Sequence, residues 1–497
     1  MDRVILGIYL ISLIVLLFYT SHAYYMIFLY YFKFRKRVRS EKNDKYLKGE
    51  DVPHVTVQLP VYNERYVLKR LVDAACRFDW PKNKLEIQIL DDSTDETTII
   101  AESIIKRYRK EGFDIVLLHR DNREGYKAGA LKEGLKVAKG EFVAIFDADF
   151  IPPSDFLRRT ISYFIEDSKT AVVQTRWGHL NDRFSSLTMG QAIALDGHFY
   201  IEQQMRNHEG VFITFNGTAG IWRKQAIYDA GGWEGDTLTE DVDLSYRAQL
   251  KGWNIKFLPN VVCMSEVPPD VNGFKAQQIR WARGTIQTAK KLLGRLLKSK
   301  IPLKTKYEGF IHLTNHIVYP FLLLISLLFL PILIVKQSGD YDIYYNLSTF
   351  FLLGVIPYPL MYGVAQKALY KDWKKRLLYI PLITGGCMAL SIANTVAVVQ
   401  GLSKKKYEFT RTPKFSIVGN QGRMKKKYKF KKSITTIVEF SLFLYLLTTT
   451  LYAIVYMELA ILPFLILYTL GFGYISILSF SQSLQEKRAL YTNSVIR

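Results

Sequence analysis

Six long stretches of the chain contain no Asp, Glu, Lys or Arg, and their positions separate membrane regions from a soluble one. The first covers residues 4–32, and a helix of that length would reach about 44 Å, enough to cross a bilayer. Because its apolar core is too long for a cleaved signal peptide, we predict a membrane-spanning helix. The other uncharged runs all lie in the C-terminal part of the chain, at 310–335, 343–366, 377–403, 440–457 and 459–484.

Basic residues indicate how these runs are oriented. The net charge is +22, and residues 404–432 contain 12 Lys or Arg and one acid, Glu408. If all six runs crossed the membrane, this segment would lie outside, whereas the other basic clusters (33–39, 290–306 and 367–376) would all be cytoplasmic. Basic segments normally stay on the cytoplasmic side. Residues 377–403 are also interrupted by Pro381, Gly385, Gly386, Ser391, Asn394 and Gln400. We therefore predict an interfacial or re-entrant segment there and five spans, with the N-terminus outside; six spans are the alternative.

Three parts follow from this reading: an N-terminal transmembrane helix (1–32), a cytoplasmic domain (33–300) and a transmembrane region (301–497). The last part includes the interfacial segment 377–403 and a cytoplasmic loop at 404–432. Half of the surplus positive charge flanks apolar runs, which favours contact with membrane lipids and argues against nucleic acid as a partner. We expect a multi-pass protein of a bacterial inner membrane or a Golgi membrane.

The soluble part alternates short β-rich runs with amphipathic helical stretches. The β-rich runs lie at 55–60, 85–90, 114–119, 141–146 and 171–175. Strands separated by helices predict an α/β domain with a parallel sheet covered on both faces. A further amphipathic stretch, 286–299, could lie in a core or on an anionic membrane surface. Its position before a span favours the surface.

Ligands of parallel α/β sheets bind beyond the carboxyl ends of the strands, so the polar residues there are candidates. Tyr62 and Glu64 follow the first strand, Asp92 the second, and Asp147 and Asp149 the fourth. No glycine-rich phosphate loop follows any of them. Carboxylates would repel a diphosphate unless a hard cation lay between them, so Asp147 and Asp149 suit Mg²⁺ or Mn²⁺. Single DxD sequences occur by chance, however, and Asp91-Asp92-Ser93 could simply cap a helix.

Two further motifs come later in the domain. Thr239-Glu240-Asp241 could also cap a helix, because it precedes a helical pattern. Gln277 is followed by the adjacent pair Arg280 and Trp281, a rare combination with no obvious structural explanation. An arginine beside a tryptophan suits a site that grips an anion and stacks a ring.

Together these motifs resemble the processive, membrane-embedded family-2 glycosyltransferases, which include the cellulose synthases. In order, they are similar to that family's D, DxD, TED and QxxRW motifs. Residues 121–135 and 215–223 are similar to the cellulose synthase-like A and C branches, although QQIRWARGT at 277–285 departs from their pattern. The resemblance implies an α/β, GT-A-like (Rossmann-like) glycosyltransferase domain joined to an α-helical multi-pass membrane channel.

The resemblance also implies roles for single residues. Its donor-binding residues would be Tyr62, Glu64, Asp92, Lys127, Asp147, Gln277 and Arg280. Its metal ligands would be Asp149 with Asp147, its general base Asp241, and its acceptor-binding residues Trp281 and Glu240. The segment that begins at Phe409 is similar to the FxVTxK gating loop of cellulose synthases, with Thr412 and Lys414 at matching positions and Arg411 in place of valine.

The implied activity is processive and inverting. A hexose would pass from a nucleotide diphosphate sugar, GDP-mannose or UDP-glucose, to a growing β-linked polysaccharide, expected to be a 1→4 mannan, glucomannan or glucan, which is moved across the membrane. One alternative keeps the chemistry but transfers a single sugar to a lipid, as the ceramide glucosyltransferases do. Another is a transporter with a regulatory nucleotide-binding domain.

Overall fold

The structure is a computed structural model. It describes residues 2–35, 45–337, 339, 341, 345, 352–403, 405, 412, 414–420 and 434–495, with side chains of the last helix described as far as 483. A single eight-stranded sheet forms the centre of the soluble part, with strand order β3-β2-β1-β4-β7-β6-β8-β5. Its strands are β1 (Val55–Val61), β2 (Leu85–Asp91), β3 (Asp114–His119), β4 (Phe142–Ile145), β5 (Phe150–Ile151), β6 (Thr170–His179), β7 (Gly220–Arg223) and β8 (Asn254–Ser265).

All five predicted strands are present, as β1, β2, β3, β4 and β6, and they run in one direction. The sheet as a whole is mixed, because β7 lies antiparallel between β4 and β6 and β5 lies antiparallel to β8. The predicted parallel arrangement therefore holds for these five strands, and the antiparallel strands β5 and β7 were not predicted. Strands of four and two residues such as β7 and β5 are too short to give a periodic signal.

The apolar run in β4 is explained by cores on both faces of the sheet. Phe142 and Ala144 belong to one hydrophobic cluster, whereas Val143 and Ile145 belong to another. Successive side chains of a strand point to opposite faces, so a strand covered on both sides is apolar at every position. The polar residues that follow β4 are thereby held at the edge of a rigid core.

Eighteen α-helices lie in the described residues. Those of the soluble part are α2 (Leu68–Ala75), α3 (Thr97–Lys110), α4 (Tyr126–Val137), α5 (Phe156–Glu166), α6 (Ser186–Gly197), α7 (Gln204–His208), α8 (Lys224–Asp229), α9 (Glu240–Leu250) and α10 (Val271–Lys298). The others are α1 (Asp2–Phe28), α11 (Leu303–Thr314), α12 (Val318–Lys336), α13 (Pro357–Leu369), α14 (Trp373–Leu377), α15 (Ile380–Ala389), α16 (Ser391–Leu402), α17 (Ile434–Val455) and α18 (Leu462–Val495). A π-helical turn, His198–Gln203, joins α6 to α7, and another, Leu29–Phe34, follows α1.

Among the described residues, four helical stretches are long and apolar enough to cross a membrane: Asp2–Phe34, Leu303–Lys336, Thr435–Val455 and Leu462–Ser483. They coincide with four of the five predicted spans. In the fifth, 343–366, a helix begins at Pro357, and much of the run before it lies outside the described residues. Trp373–Ala389 and Ser391–Leu402 meet at a 45° bend, which fits either a broken span or a re-entrant loop. The interfacial assignment of 377–403 therefore stays a prediction.

Helix α10 joins the two parts of the molecule. The prediction that residues 286–299 lie on a membrane surface was wrong, because Leu292 and Leu296 are fully buried in a cluster with residues of α9 and α11. Near the other end of α10, the Lys275 ammonium lies 2.5 Å from a carboxylate oxygen of Glu439. It also donates a hydrogen bond to Ser479 Oγ at 3.0 Å. The helix that carries Gln277, Arg280 and Trp281 is thus fixed to α17 and α18.

Candidate active site

The acidic residues after β4 each bond to an ammonium group. Lys127, in the first turn of α4, donates to Asp147 Oδ1 at 2.5 Å and to the Gly217 carbonyl at 2.8 Å. Lys414 donates to Asp149 Oδ2 at 2.6 Å. Although burial works against its charge, Asp149 is the main group that raises the pKa of Lys414. Two carboxylates that each attract a cation in this way fit the oxygen-rich donor set of Mg²⁺ or Mn²⁺.

Lys414 is held in place by Glu266, at the position directly after β8. The carboxylate oxygens of Glu266 accept backbone hydrogen bonds from Phe415 at 2.9 Å and from Ile417 at 3.2 Å. The Gly419 N–H donates to the Leu180 carbonyl at 2.7 Å. Phe415 and Ile417 are buried. The segment 414–419 is therefore docked against the strand end beside the acidic pair, in agreement with a loop that reaches the site.

Of the other predicted gating-loop residues, Thr412 is buried, and Phe409 lies outside the described residues. Among the described residues, three other carboxylates, Glu234, Asp236 and Asp243, also converge closely enough for a metal. The ammonium of Lys291 already bonds to all three at 2.5–3.0 Å. The Arg247 guanidinium also pairs with Glu234 and Asp243, so this second cluster is an ion-pair network made of residues different from the acidic pair after β4.

The neighbouring strand ends form a second part of the site. Asp92 receives two hydrogen bonds from the Arg120 guanidinium, at 2.7 and 2.5 Å. The Arg123 guanidinium lies 3.4 Å from the centre of the Tyr62 ring, a cation–π contact. Glu64 is buried nearby, and its charge helps to raise the pKa of Lys414. Sequence analysis missed both arginines, although Arg120 directly follows β3 and Arg123 lies in the same loop, where the strand-end rule applies.

Asp91 and Asp92 differ in their contacts although they are adjacent. Asp91 Oδ1 accepts the Ser93 N–H at 3.0 Å. Its Oδ2 accepts a hydrogen bond from the Thr98 hydroxyl at 2.7 Å and lies 2.8 Å from His119 Nδ1. These bonds close the turn between β2 and α3, but in none of them does Asp91 accept a backbone N–H of α3, so Asp91 orders the turn and does not cap the helix.

Asp241 lies in the first turn of α9. Thr239 precedes this helix but makes no side-chain capping bond; its hydroxyl lies 3.1 Å from Thr288 Oγ1. Asp241 Oδ1 accepts the Val242 N–H at 2.9 Å. Burial, followed by the negative charge of Glu240, raises the pKa of Asp241 to about 7, while Lys127 pulls in the opposite direction. This carboxyl can therefore exchange a proton near neutral pH.

Asp241 lies where two cavities meet. The smaller, of about 80 Å³, is lined by the acidic pair, Lys127, Lys414 and Arg280. The larger, of about 360 Å³, extends between α6, α10 and the apolar helices. Asp241, Gln277 and Trp281 line both. The arrangement can hold an anionic group on one side of Asp241 and a second molecule on the other.

Residues 53–284 match the family model described as "Glycosyltransferase like family 2". This part of the chain, somewhat less than half of its length, is similar to family-2 glycosyltransferases. It includes the whole sheet, the acidic pair, Asp241 and the Gln277, Arg280 and Trp281 motif, whereas segment 414–419 lies outside it. The predicted GT-A-like fold is confirmed, and the predicted enzyme class is that of the matched family.

Plant proteins are similar in sequence to somewhat more than half of this chain. Glucomannan 4-beta-mannosyltransferase 7 of Arabidopsis thaliana is 40% identical over 296 residues, which is 57% of this chain and 53% of the relative. Glucomannan 4-beta-mannosyltransferase 2 of the same plant is 43% identical over 281 residues, 55% of this chain and 53% of the relative. The chain thus spans about half the length of these curated relatives.

One solved structure shares the fold. It is a mannosyltransferase from Pyrobaculum calidifontis, in complex with GDP-mannose and Mn²⁺, with a TM-score of 0.52 and 21% sequence identity. The structural match covers 80% of this chain and 100% of the solved chain. The likeness concerns the GT-A-like fold.

Proposed function

We propose that the protein is an inverting β-mannosyltransferase that extends a β-1,4-linked mannan or glucomannan from GDP-mannose and moves it across a membrane. The observation that carries this proposal is Asp241, a carboxyl with a raised pKa between an acidic, lysine-rich cavity and a larger one. The names of the plant relatives support mannose as the sugar. UDP-glucose is the second donor to be compared.

The chemistry is one displacement at the anomeric carbon. An acceptor hydroxyl that enters from the larger cavity attacks the sugar, while Asp241 takes its proton as general base. The sugar–phosphate bond breaks on the far side, so the configuration inverts and an α-linked donor gives a β-linked product. Arg280 and Lys127 line the smaller cavity and stabilise the negative charge of the departing diphosphate.

Asp147 and Asp149 would hold the divalent cation, Mg²⁺ or Mn²⁺. When bound, it would supply positive charge next to the diphosphate. Lys414 bonds to Asp149 in the structure, and an ammonium on a docked segment could contact the same diphosphate. We therefore assign the segment 414–419 to the donor end of the site, together with the predicted gating-loop residues.

The remaining roles follow the two cavities. Trp281 provides a flat surface for the acceptor sugar, with Glu240 beside the base, and Gln277 contacts the donor at the junction. At the other end, Tyr62 and Asp92 lie beside Arg123 and Arg120. We propose that this region, together with Glu64, binds the nucleotide part of the donor.

Translocation is supported by the lining of the larger cavity. Besides Asp241 and Trp281, its walls include residues of the long apolar stretch Leu303–Lys336, among them His316 and Tyr319, and Tyr474 of α18. A glycan that leaves Asp241 through this cavity enters the membrane region. We accordingly propose a cytoplasmic catalytic domain, an outside N-terminus and a cytoplasmic 404–432 loop.

The test uses the purified full chain with Mn²⁺ and each of four donors: GDP-mannose, GDP-glucose, UDP-glucose and UDP-N-acetylglucosamine. We expect polymer from GDP-mannose, its digestion by an endo-β-1,4-mannanase, and no polymer in EDTA. Trp281→Ala should abolish polymer but retain slow hydrolysis of the donor. A lipid that carries one sugar as the sole product would contradict the proposal.

A further inference from the structure

The larger cavity has a polar wall that none of the sequence motifs includes. His198 Nδ1 lies 3.0 Å from Glu202 Oε2, and His198 Nε2 lies 3.3 Å from Asn216 Nδ2. The Asn216 side-chain oxygen accepts a hydrogen bond from Gln203 at 3.0 Å. Because a carboxylate only accepts and an amide N–H only donates, the His198 proton lies on Nδ1 and points to Glu202. Each polar group in this series of hydrogen bonds thus has a defined role as donor or acceptor.

Arg206 adds a buried cation to the same wall. Its side chain is 3% exposed and lines the cavity. Its Nε lies 3.4 Å from Glu308 Oε2, within ion-pair distance, but neither Nε nor Nη1 has a hydrogen-bond partner among the described residues. A buried N–H without a partner is costly, so an unsatisfied guanidinium in a cavity wall indicates a ligand oxygen.

The backbone supports the same interpretation. His198 and Glu202 belong to the π-helical turn His198–Gln203, which lies between α6 and α7. Such turns are uncommon and occur frequently at functional sites. Asn216 lines both cavities and therefore extends the polar wall to the position of Asp241.

Charge indicates the class of ligand. The charged side chains that line the larger cavity, among the described residues, are Arg206, Glu202 and Asp241. Although burial works against its charge, the hydrogen bond from His198 and the charge of Arg206 lower the pKa of Glu202 to about 2. One cation with two carboxyl groups does not attract a phosphate. An uncharged polyol, whose hydroxyls both donate and accept, matches this wall.

We propose that Arg206, Glu202, His198 and Asn216 form a hydroxyl-binding wall that selects an uncharged glycan as acceptor and excludes a lipid phosphate. This inference rests on the proposed function, since it concerns the acceptor of the same reaction. Hydrogen bonds from the wall to the sugar hydroxyls orient the acceptor chain along the polar side of the larger cavity. The donor is bound in the smaller cavity.

The first experiment measures binding without a donor. β-1,4-Mannohexaose is titrated into the full-length protein in detergent, and tryptophan fluorescence is followed, because Trp177 and Trp281 line the cavity. Glu202→Gln and Asn216→Ala should each weaken binding about tenfold, as expected for the loss of a hydrogen bond to a charged or fixed partner. Farnesyl phosphate should not compete. Unchanged affinity in both variants, or competition by farnesyl phosphate, would overturn the proposal.

Glu209→Gln is the matched control. Glu209 follows α7 and is also buried, but it pairs with Lys33 and Lys304 and does not line the cavity. The Glu209→Gln variant should bind mannohexaose with the affinity of the wild type. Thermal unfolding of every variant establishes that it is folded, and Asn216→Ala remains informative if Glu202→Gln does not fold.

Kinetics then separate the acceptor from the donor. In the Glu202 and Asn216 variants the KM for mannohexaose should rise about tenfold. In Glu202→Gln, which changes a residue that does not line the smaller cavity, the KM for GDP-mannose and the rate of donor hydrolysis should stay within twofold of wild type. An equal rise of both KM values in Glu202→Gln would overturn the proposal. Failure of wild type to make polymer from any nucleotide sugar would instead contradict the proposed function, so the two failures are distinguishable.

Discussion

Replacing Lys414 by methionine should increase the affinity of the donor-free protein for Mn²⁺. The Lys414 ammonium lies 2.6 Å from Asp149 Oδ2, and the two side chains are only 15% and 6% exposed. A cation that binds Asp149 must first displace this ammonium. Methionine keeps the unbranched stem but removes the charge, so it removes the competitor and leaves Asp149 in place.

The expected magnitude follows from the geometry of the pair. A hydrogen bond between charged groups contributes about 1.5–3 kcal/mol, and about 1.4 kcal/mol corresponds to a tenfold change in affinity. Lys127 remains bonded to Asp147 in the variant and continues to oppose the cation. We therefore expect the lower end of this range, an increase in Mn²⁺ affinity of about tenfold.

The assay is a titration with Mn²⁺ in which electron paramagnetic resonance reports the free ion. Lys290→Met is the control, because it also removes one positive charge but lies on an exposed face of α10, where its ammonium bonds to the Leu402 carbonyl. If both variants shift the affinity equally, the effect is a general one of net charge. An unchanged or reduced affinity in Lys414→Met would refute the reasoning.

Three further predictions concern the base and the topology. Asp241→Asn should lower kcat by about 10²–10⁴ with little change in the KM for GDP-mannose; a purely structural role would instead lower the melting temperature and spare turnover. Because burial raises the pKa of Asp241 to about 7 and the base must be ionised, kcat/KM should fall as pH drops below about 7, and a profile flat to pH 5 would contradict this. Cysteines placed at Lys405 and Lys426 should resist membrane-impermeant thiol reagents in intact cells, whereas labelling of both from outside would contradict a cytoplasmic 404–432 loop.

Local sequence patterns were sufficient for the elements that carry their own signal. The five strands of the predicted sheet and the four long apolar helices match uncharged or β-rich runs, because burial on both faces or in lipid requires apolar side chains along the whole element. The motif residues were found for a similar reason. Most of them follow a strand or lie near a helix start, where the fold places polar groups at the edge of the sheet, whereas Gln277, Arg280 and Trp281 lie further along α10.

The amphipathic stretch 286–299 is a case in which the sequence pattern could not identify the environment of the helix. A stripe of leucines between lysines is the same in sequence whether it faces lipid or a protein core. Leu292 and Leu296 are buried because α9 and α11 happen to pack against them. Only the neighbours of a helix, which come from other parts of the chain, decide between the two.

Tertiary structure alone decided which groups complete the site. Lys414 bonds to Asp149 across 265 positions of sequence, and Lys275 bonds to Glu439 across 164. The sequence by itself determined that acids would gather at the strand ends and that apolar helices would follow. It did not determine which acid each predicted lysine would bond to, nor the wall formed by His198, Glu202 and Arg206. Ion pairs and hydrogen bonds between distant residues depend on distances of a few ångströms that only the packed chain establishes, and they leave no periodic trace in the sequence.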